Sequence, residues 1–193
     1  PLVAGALTGK VTVAGLDPDD RQGDRAVLDV LKRFGALVSV KGDEATVERG
    51  ALKGIEVDVG SMPDSFPVLA VLATQASGST VLRNAKHLRF KESDRIATTV
   101  SFLTQMGADV EEREDGCVVR GPTRLRGRSI DPSGDHRILM AAAVAGLVAR
   151  RAECGAHAAP GRTDAAAVGG HRLDAGRLDT TGAGHAGAVR AGL

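Results

Sequence analysis

Two helical patterns recur along the chain in the same setting. From Asp24-Arg25, apolar residues fall at Val27, Val30, Leu31 and Phe34, and the run stops at Gly35-Ala36. From Asp94-Arg95 a similar spacing returns at Ile96, Val100, Leu103 and Met106, stopping at Gly107-Ala108. Such spacing puts apolar side chains on one helix face, and a glycine just past the last of them is a helix stop. Each stop is followed by alternation, LVSVKGDEATVERG in one copy and DVEEREDGCVVRG in the other. That pattern predicts two strands around a polar turn. Each copy then carries Leu-basic-Gly, as Leu52-Lys53-Gly54 and Leu125-Arg126-Gly127, and a short strand ending at Asp58 or Asp131.

Both copies finish alike. GSMPDSFP leads into VLAVLAT, and PSGDHR leads into ILMAAAVAGLVA. These second helices are apolar nearly all round, which predicts that both are fully buried. The glycine stops at 35 and 107 set an offset of 72 residues, that of an α/β subdomain rather than a short solenoid repeat. Each copy therefore reads strand, helix, two or three strands, buried helix, over roughly 10–75 and 80–149.

The polar clusters Gln22-Gly23-Asp24, Pro63-Asp64-Ser65, Lys91-Glu92-Ser93-Asp94-Arg95 and Gly134-Asp135-His136-Arg137 all fall where a loop becomes a helix. In a repeated fold those positions share one end of the domain. Helix N-termini there offer unpaired N–H groups and partial positive charge to an anion. Arg95 and Arg137 add forks suited to carboxylate or phosphate. The pattern points to a site for an anionic, phosphorylated small molecule.

Capping accounts for some of these residues. Ser93 is the expected N-cap with Asp94 as a first-turn acid, Asp135 caps the last helix, and Asp64 could cap the helix that begins near Pro67. Lys91, Glu92 and Arg95 are left over. Together with Asp64, His136 and Arg137 they are what proton transfer on a phosphorylated substrate needs.

Composition narrows the classes. The 193 residues are 42% hydrophobic and 25% charged, with net charge +1, no Trp, no Tyr and four Phe, so neither a basic face nor stacking aromatics suggest a nucleic-acid binder. Cys117 and Cys154 are too few for a disulfide framework, and a reducing cytoplasm is expected. The histidines at 87, 136, 157, 171 and 185 lack ligand spacing, so no metal is expected. The opening PLVAGALTGKVTV lacks the features of a signal peptide, and the apolar run 138–149 is too short to span a bilayer.

LRFKESDRI, with PDSFPVLAVLA upstream and DHRILMAAAVAGL downstream, resembles the EPSP synthase family of 3-phosphoshikimate 1-carboxyvinyltransferases. The Gln22-Gly23-Asp24 start and Gly35-Ala36 stop fit as well, and the likeness covers roughly 1–149. It fits the sister enzyme that uses a UDP-N-acetylglucosamine acceptor poorly. The resemblance implies an inside-out α/β barrel domain of repeated βαβαββ-type units, with helices buried and sheets outside. It implies transfer of the enolpyruvyl group of phosphoenolpyruvate to the 5-hydroxyl of shikimate 3-phosphate, with no cofactor and no metal. The alternatives are another enolpyruvyl transferase, or a non-catalytic anion-binding domain of the same fold.

The family's roles fall on particular residues. Asp64 would bind the shikimate hydroxyls and help take the 5-hydroxyl proton, with Lys91 at the same hydroxyl. Glu92 would protonate the methylene carbon of phosphoenolpyruvate and take a proton back as phosphate leaves. Arg95 and Arg137 would clamp phosphoenolpyruvate, with His136 beside it. His87 stands where family members often place Asn or another polar contact to shikimate 3-phosphate. The family's members are longer chains whose site closes between two domains and which act as monomers, so this chain would be the C-terminal domain, lacking its N-terminal partner. From Arg150 the pattern departs: residues 150–193 are rich in Ala, Gly, Arg and His, without Lys, Ile, Met or Phe. The family's late Lys motif has no counterpart there. Such a tail has the composition of out-of-frame translation of a GC-rich gene, and is expected to pack poorly.

Overall fold

The computed structural model describes residues 1–17 and 26–150, and beyond them the backbone of two short strands. The expectations for Gln22-Gly23-Asp24 and for the packing of the tail fall outside the described residues.

The chain opens with α1 (Leu2–Thr8) and β1 (Lys10–Ala14). The amphipathic α2 (Val27–Phe34) buries Val30, Leu31 and Phe34 and is followed by β2 (Leu37–Lys41), β3 (Glu44–Glu48) and β4 (Glu56–Asp58). A 3-10 turn over Pro63–Ser65 leads into α3 (Phe66–Ala73). The second copy runs β5 (Gly78–Arg83), a 3-10 turn over Lys86–Phe90, α4 (Arg95–Gln105), β6 (Asp109–Arg113), β7 (Gly116–Gly121), β8 (Ser129–Ile130) and α5 (His136–Val148). Two short strands, β9 (Leu173–Asp174) and β10 (Val189–Arg190), complete the order.

Two four-stranded sheets share one pattern of strand order. In one, β10-β1-β3-β2, Val47 of β3 sits between Val11 of β1 and Val38 of β2 in antiparallel register. In the other, β4-β5-β7-β6, Val118 of β7 likewise sits between Val81 and Glu111. The outer partner runs parallel in each case, β10 to β1 and β4 to β5.

The loops repeat bond for bond. After α2, Ala36 N–H donates to the Leu31 carbonyl at 3.0 Å, and after α4, Ala108 N–H donates to Leu103 at 2.9 Å. These are the closing bonds of a helix ended by a left-handed glycine, and φ is 99° at Gly35 and 88° at Gly107. Lys53 N–H bonds the Phe34 carbonyl and Arg126 N–H that of Met106. Gly54 N–H then bonds Ser77 as Gly127 N–H bonds Arg150. The Leu-basic-Gly motif is thus a backbone clip that ties each first helix to the chain leaving the second.

Helices pack on one another at the centre, α3 against α1, α4 and α5. Phe34, Phe66, Leu69, Leu72, Ile96 and Phe102 are at most 1% exposed. The expectation that both apolar helices are fully buried holds for α3 apart from Val68 and fails for α5. On α5, Ile138, Ala141, Ala142 and Ala145 are buried, but Met140 is 49% and Leu147 39% exposed. Apolarity all round permits burial on every side; it does not supply neighbours on every side. No helix among the described residues is long and apolar enough to cross a membrane.

Candidate active site

Three helix starts meet at one buried guanidinium. Arg95 is the first residue of α4, and its side chain is only 1% exposed. Its Nε donates to Asp135 Oδ2 at 2.9 Å, Nη1 to Asp64 Oδ1 at 2.9 Å, and Nη2 to Glu92 Oε2 at 2.6 Å. Asp64 comes from the 3-10 turn before α3, Glu92 from the loop before α4, and Asp135 from the turn before α5. One planar fork holds carboxylates from three separate loops, which Arg does and Lys cannot.

Arg137, in the first turn of α5, donates from Nη2 to Asp64 Oδ2 at 2.6 Å. Asp64 therefore bridges two arginines. The Nε of Arg137 is buried and unpaired among the described residues. His136 Nδ1 stands 3.7 Å from Glu92 Oε1, an ion pair only when the ring is protonated. Lys91 is exposed beside Glu92 and makes no ion pair among the described residues. His87 is exposed on the turn Lys86–Phe90 and bonds to none of the cluster.

Electrostatics lock the centre. Burial pushes the Asp135 carboxyl up, but hydrogen bonds from Arg95 and the Arg137 amide, with the Arg95 charge, outweigh it and hold the group below its usual range. Burial likewise pushes Arg95 down, and Asp135, Asp64 and Glu92 more than reverse it. A buried charge is tolerated only when so paired.

Three expectations are corrected. Asp94, not Ser93, caps α4, its Oδ1 accepting the Ala97 N–H at 3.0 Å. Ser93 instead donates to Asp135 Oδ2 at 3.1 Å, joining the two loops. Aspartate in extended backbone at residue 94 reaches the third amide ahead, which leaves the hydroxyl one position earlier to face α5. Nor are the N-termini of α4 and α5 left open for an anion. Asp135 Oδ1 accepts the Arg137 N–H at 2.8 Å and lies 3.4 Å from the Ile138 nitrogen, as Asp94 serves α4. The positive groups left for a ligand are the arginine forks and Lys91. Asp64 caps nothing.

Reading the sequence also missed Arg89. Its Nη1 bonds Asp94 and Glu112, each at 2.9 Å, and its Nε and Nη2 bond the Glu114 and Arg113 carbonyls. Arg89 thereby pins the loop carrying Lys91 and Glu92 to the β6–β7 hairpin. Its hairpin partners lie 23 to 25 residues along the chain, too far for local spacing to show.

The comparisons agree on one family. Residues 1–157 match the family model for EPSP synthase (3-phosphoshikimate 1-carboxyvinyltransferase). A 3-phosphoshikimate 1-carboxyvinyltransferase from Methanocorpusculum labreanum is 54% identical over 146 residues, 76% of this chain and 35% of the relative. One from Halobacterium salinarum is 48% identical over 155 residues, 77% of this chain and 36% of the relative. A solved EPSP synthase from Acinetobacter baumannii superposes with a TM-score of 0.66 at 31% identity, covering 77% of this chain and 38% of that one. The chain thus spans about a third of the length of its relatives. With its fold likeness and more than three quarters of its length matched, the chain belongs to the EPSP synthase family.

Proposed function

We propose that this chain supplies the C-terminal part of a site that transfers the enolpyruvyl group of phosphoenolpyruvate to the 5-hydroxyl of shikimate 3-phosphate, releasing phosphate. The observation that carries the reading is the single guanidinium holding Asp64 and Glu92 on neighbouring nitrogens. A base for the attacking hydroxyl and an acid for the alkene carbon are thereby kept side by side.

In the forward reaction Asp64 takes the 5-hydroxyl proton, with Lys91 steadying the developing alkoxide. The oxygen attacks C2 of phosphoenolpyruvate while Glu92, entering this step as the carboxylic acid, delivers its proton to C3. Collapse of the tetrahedral adduct returns a C3 proton to Glu92 and expels phosphate. Arg137, whose buried Nε is unpaired among the described residues, and Arg95 hold the carboxylate and phosphate, and His136 lies beside them. His87, exposed on the turn Lys86–Phe90 and apart from the cluster, would meet shikimate 3-phosphate only where the ligand extends to that turn. The site takes no cofactor and no metal.

The matched relatives extend well beyond this stretch. We take the fold to be one domain of an inside-out barrel of repeated units, helices within and sheets outside, spanning residues 1–149. The helices packed on one another and the recurring backbone clip support this reading. The remaining ligand contacts come from an N-terminal domain, the full-length enzyme being a cytoplasmic monomer.

The test is a chimera in which residues 1–149 replace the corresponding stretch of the Methanocorpusculum labreanum enzyme. It should release phosphate from phosphoenolpyruvate when shikimate 3-phosphate is added. Glu92→Gln should lower that rate by about 10²–10⁴-fold, the usual worth of a positioned acid–base group. Undiminished turnover by the variant, or a preference for a nucleotide-sugar acceptor, would overturn the assignment.

A further inference from the structure

We infer that Glu92 occupies the anion position on Arg95 in the resting site, and that the ligand's anion takes its place, releasing Glu92 for proton transfer. The inference rests on the reading of Arg95 as a ligand-binding group, and deepens it.

The donor count gives the first argument. A guanidinium has five N–H bonds to give. Arg95 directs one at Asp135 Oδ2, one at Asp64 Oδ1, one at Glu92 Oε2, and a longer contact of 3.4 Å at Asp135 Oδ1. Four of the five are so directed, and with the side chain 1% exposed an arriving carboxylate or phosphate cannot reach the fifth without displacing a partner. Something must leave before Arg95 can bind an anion.

The three carboxylates are not held alike. Asp135 is wholly buried and also receives the Ser93 hydroxyl and the Arg137 amide, so it cannot depart without uncapping α5. Asp64 is shared with Arg137 at 2.6 Å, so leaving would break two ion pairs. Glu92 is 47% exposed, and among the described residues its second oxygen has only His136 at 3.7 Å, beyond hydrogen-bond range. It also precedes the N-cap Asp94, so its side chain can swing away without disturbing a helical bond. Glu92 is the one that yields.

The exchange is charge-balanced. A carboxylate leaves and an anion enters at the same Nη2, while Asp135 keeps Arg95 aimed through Nε. The freed Glu92 then lies next to the ligand that displaced it. The protein's proton-transfer group is uncovered by the substrate itself.

The consequence runs against the usual effect of deleting a site residue: removing the Glu92 charge should tighten anion binding. The experiment is a chemical-shift titration of the full 193-residue chain with inorganic phosphate and with phosphoenolpyruvate, unaltered and as Glu92→Gln. The variant's Kd should fall about two- to fivefold, the range expected for loss of one half-exposed competing ion pair. In the unaltered chain the carboxyl ¹³C resonance of Glu92 should move on saturation while the Arg95 Nε–H stays protected, which keeps the idea testable even if the variant folds badly. Equal or weaker binding by Glu92→Gln, or a stationary Glu92 resonance, overturns the exchange. Absence of anion binding by either chain overturns the anion-site reading and the exchange with it. Because the titration reads binding and not turnover, an inactive chimera would refute the proposed reaction without touching this result.

Discussion

Arg95 concentrates the physics of the site in one residue. Removing it strands Asp135, which is wholly buried, without its cation. Arg95→Met should therefore cost about 3–5 kcal/mol in urea unfolding near neutral pH, as is usual when one partner of a buried pair is lost. The pH dependence follows from the Asp135 carboxyl. In the parent protein its pKa lies below the unfolded value, so it contributes stability above the unfolded pKa that is lost as pH falls through the folded one. Without Arg95, burial dominates and raises the folded pKa, so stability is lost as pH rises through it. The deficit of Arg95→Met should shrink toward the ordinary aspartate pKa of about 3.9; a deficit independent of pH would show that Asp135 is not the group left behind. The residue types in this cluster were legible in KESDR and DHR, because Lys, Glu and Arg before a helix exceed what capping needs. The burial of Arg95 was not, since its three carboxylates come from loops 31 and 40 residues away as well as three.

At the scale of elements, the helix stops and the strand pairs after them were legible because the sequence writes them locally: apolar spacing, a glycine stop, alternation, then Leu-basic-Gly. The two glycine stops are nonetheless not equivalent. Both hold left-handed backbone, where a Cβ costs about 1–2 kcal/mol. At Gly107 an added Cβ meets nothing within 4 Å, whereas at Gly35 it would lie 2.4 Å from the Ala51 carbonyl oxygen. That carbonyl belongs to the segment leading into the Lys53 clip, which is bonded to both Phe34 and Ser77 and has little room to give. Gly107→Ala should lose about 1–2 kcal/mol by urea unfolding, and Gly35→Ala about 1–3 kcal/mol more, the usual penalty of overpacking. Equal losses would mean that the Ala51 segment yields freely. No sequence pattern could separate these glycines, because the difference lies in a neighbour across the clip. The short 3-10 turn at Pro63–Ser65 escaped for a related reason: it exists to aim Asp64 at Arg95 and Arg137.

For the molecule as a whole, the informative contrast is between α3 and α5, helices of like sequence character in corresponding places. Every residue of α3 except Val68 is buried, because α1, α4 and α5 surround it and β5 and β7 lie beside it. Among the described residues α5 has inner neighbours only, and Met140 and Leu147, two turns apart on one side, remain 49% and 39% exposed. Stability should follow exposure and not hydrophobicity. Leu72→Lys on α3 would bury an unpaired ammonium and should cost more than about 4 kcal/mol. Met140→Lys combined with Leu147→Lys should stay within about 1 kcal/mol of the parent, since exposed substitutions each fall within about 0.5 kcal/mol. The double variant should also bind less of a hydrophobic dye, reporting the loss of an exposed apolar stripe. A loss of several kcal/mol in the double variant would show that something covers α5. A small loss separates two demands that the sequence writes identically: α3 is apolar all round because this fold closes over it, while the outer side of α5 is apolar although nothing in this fold's stability requires it.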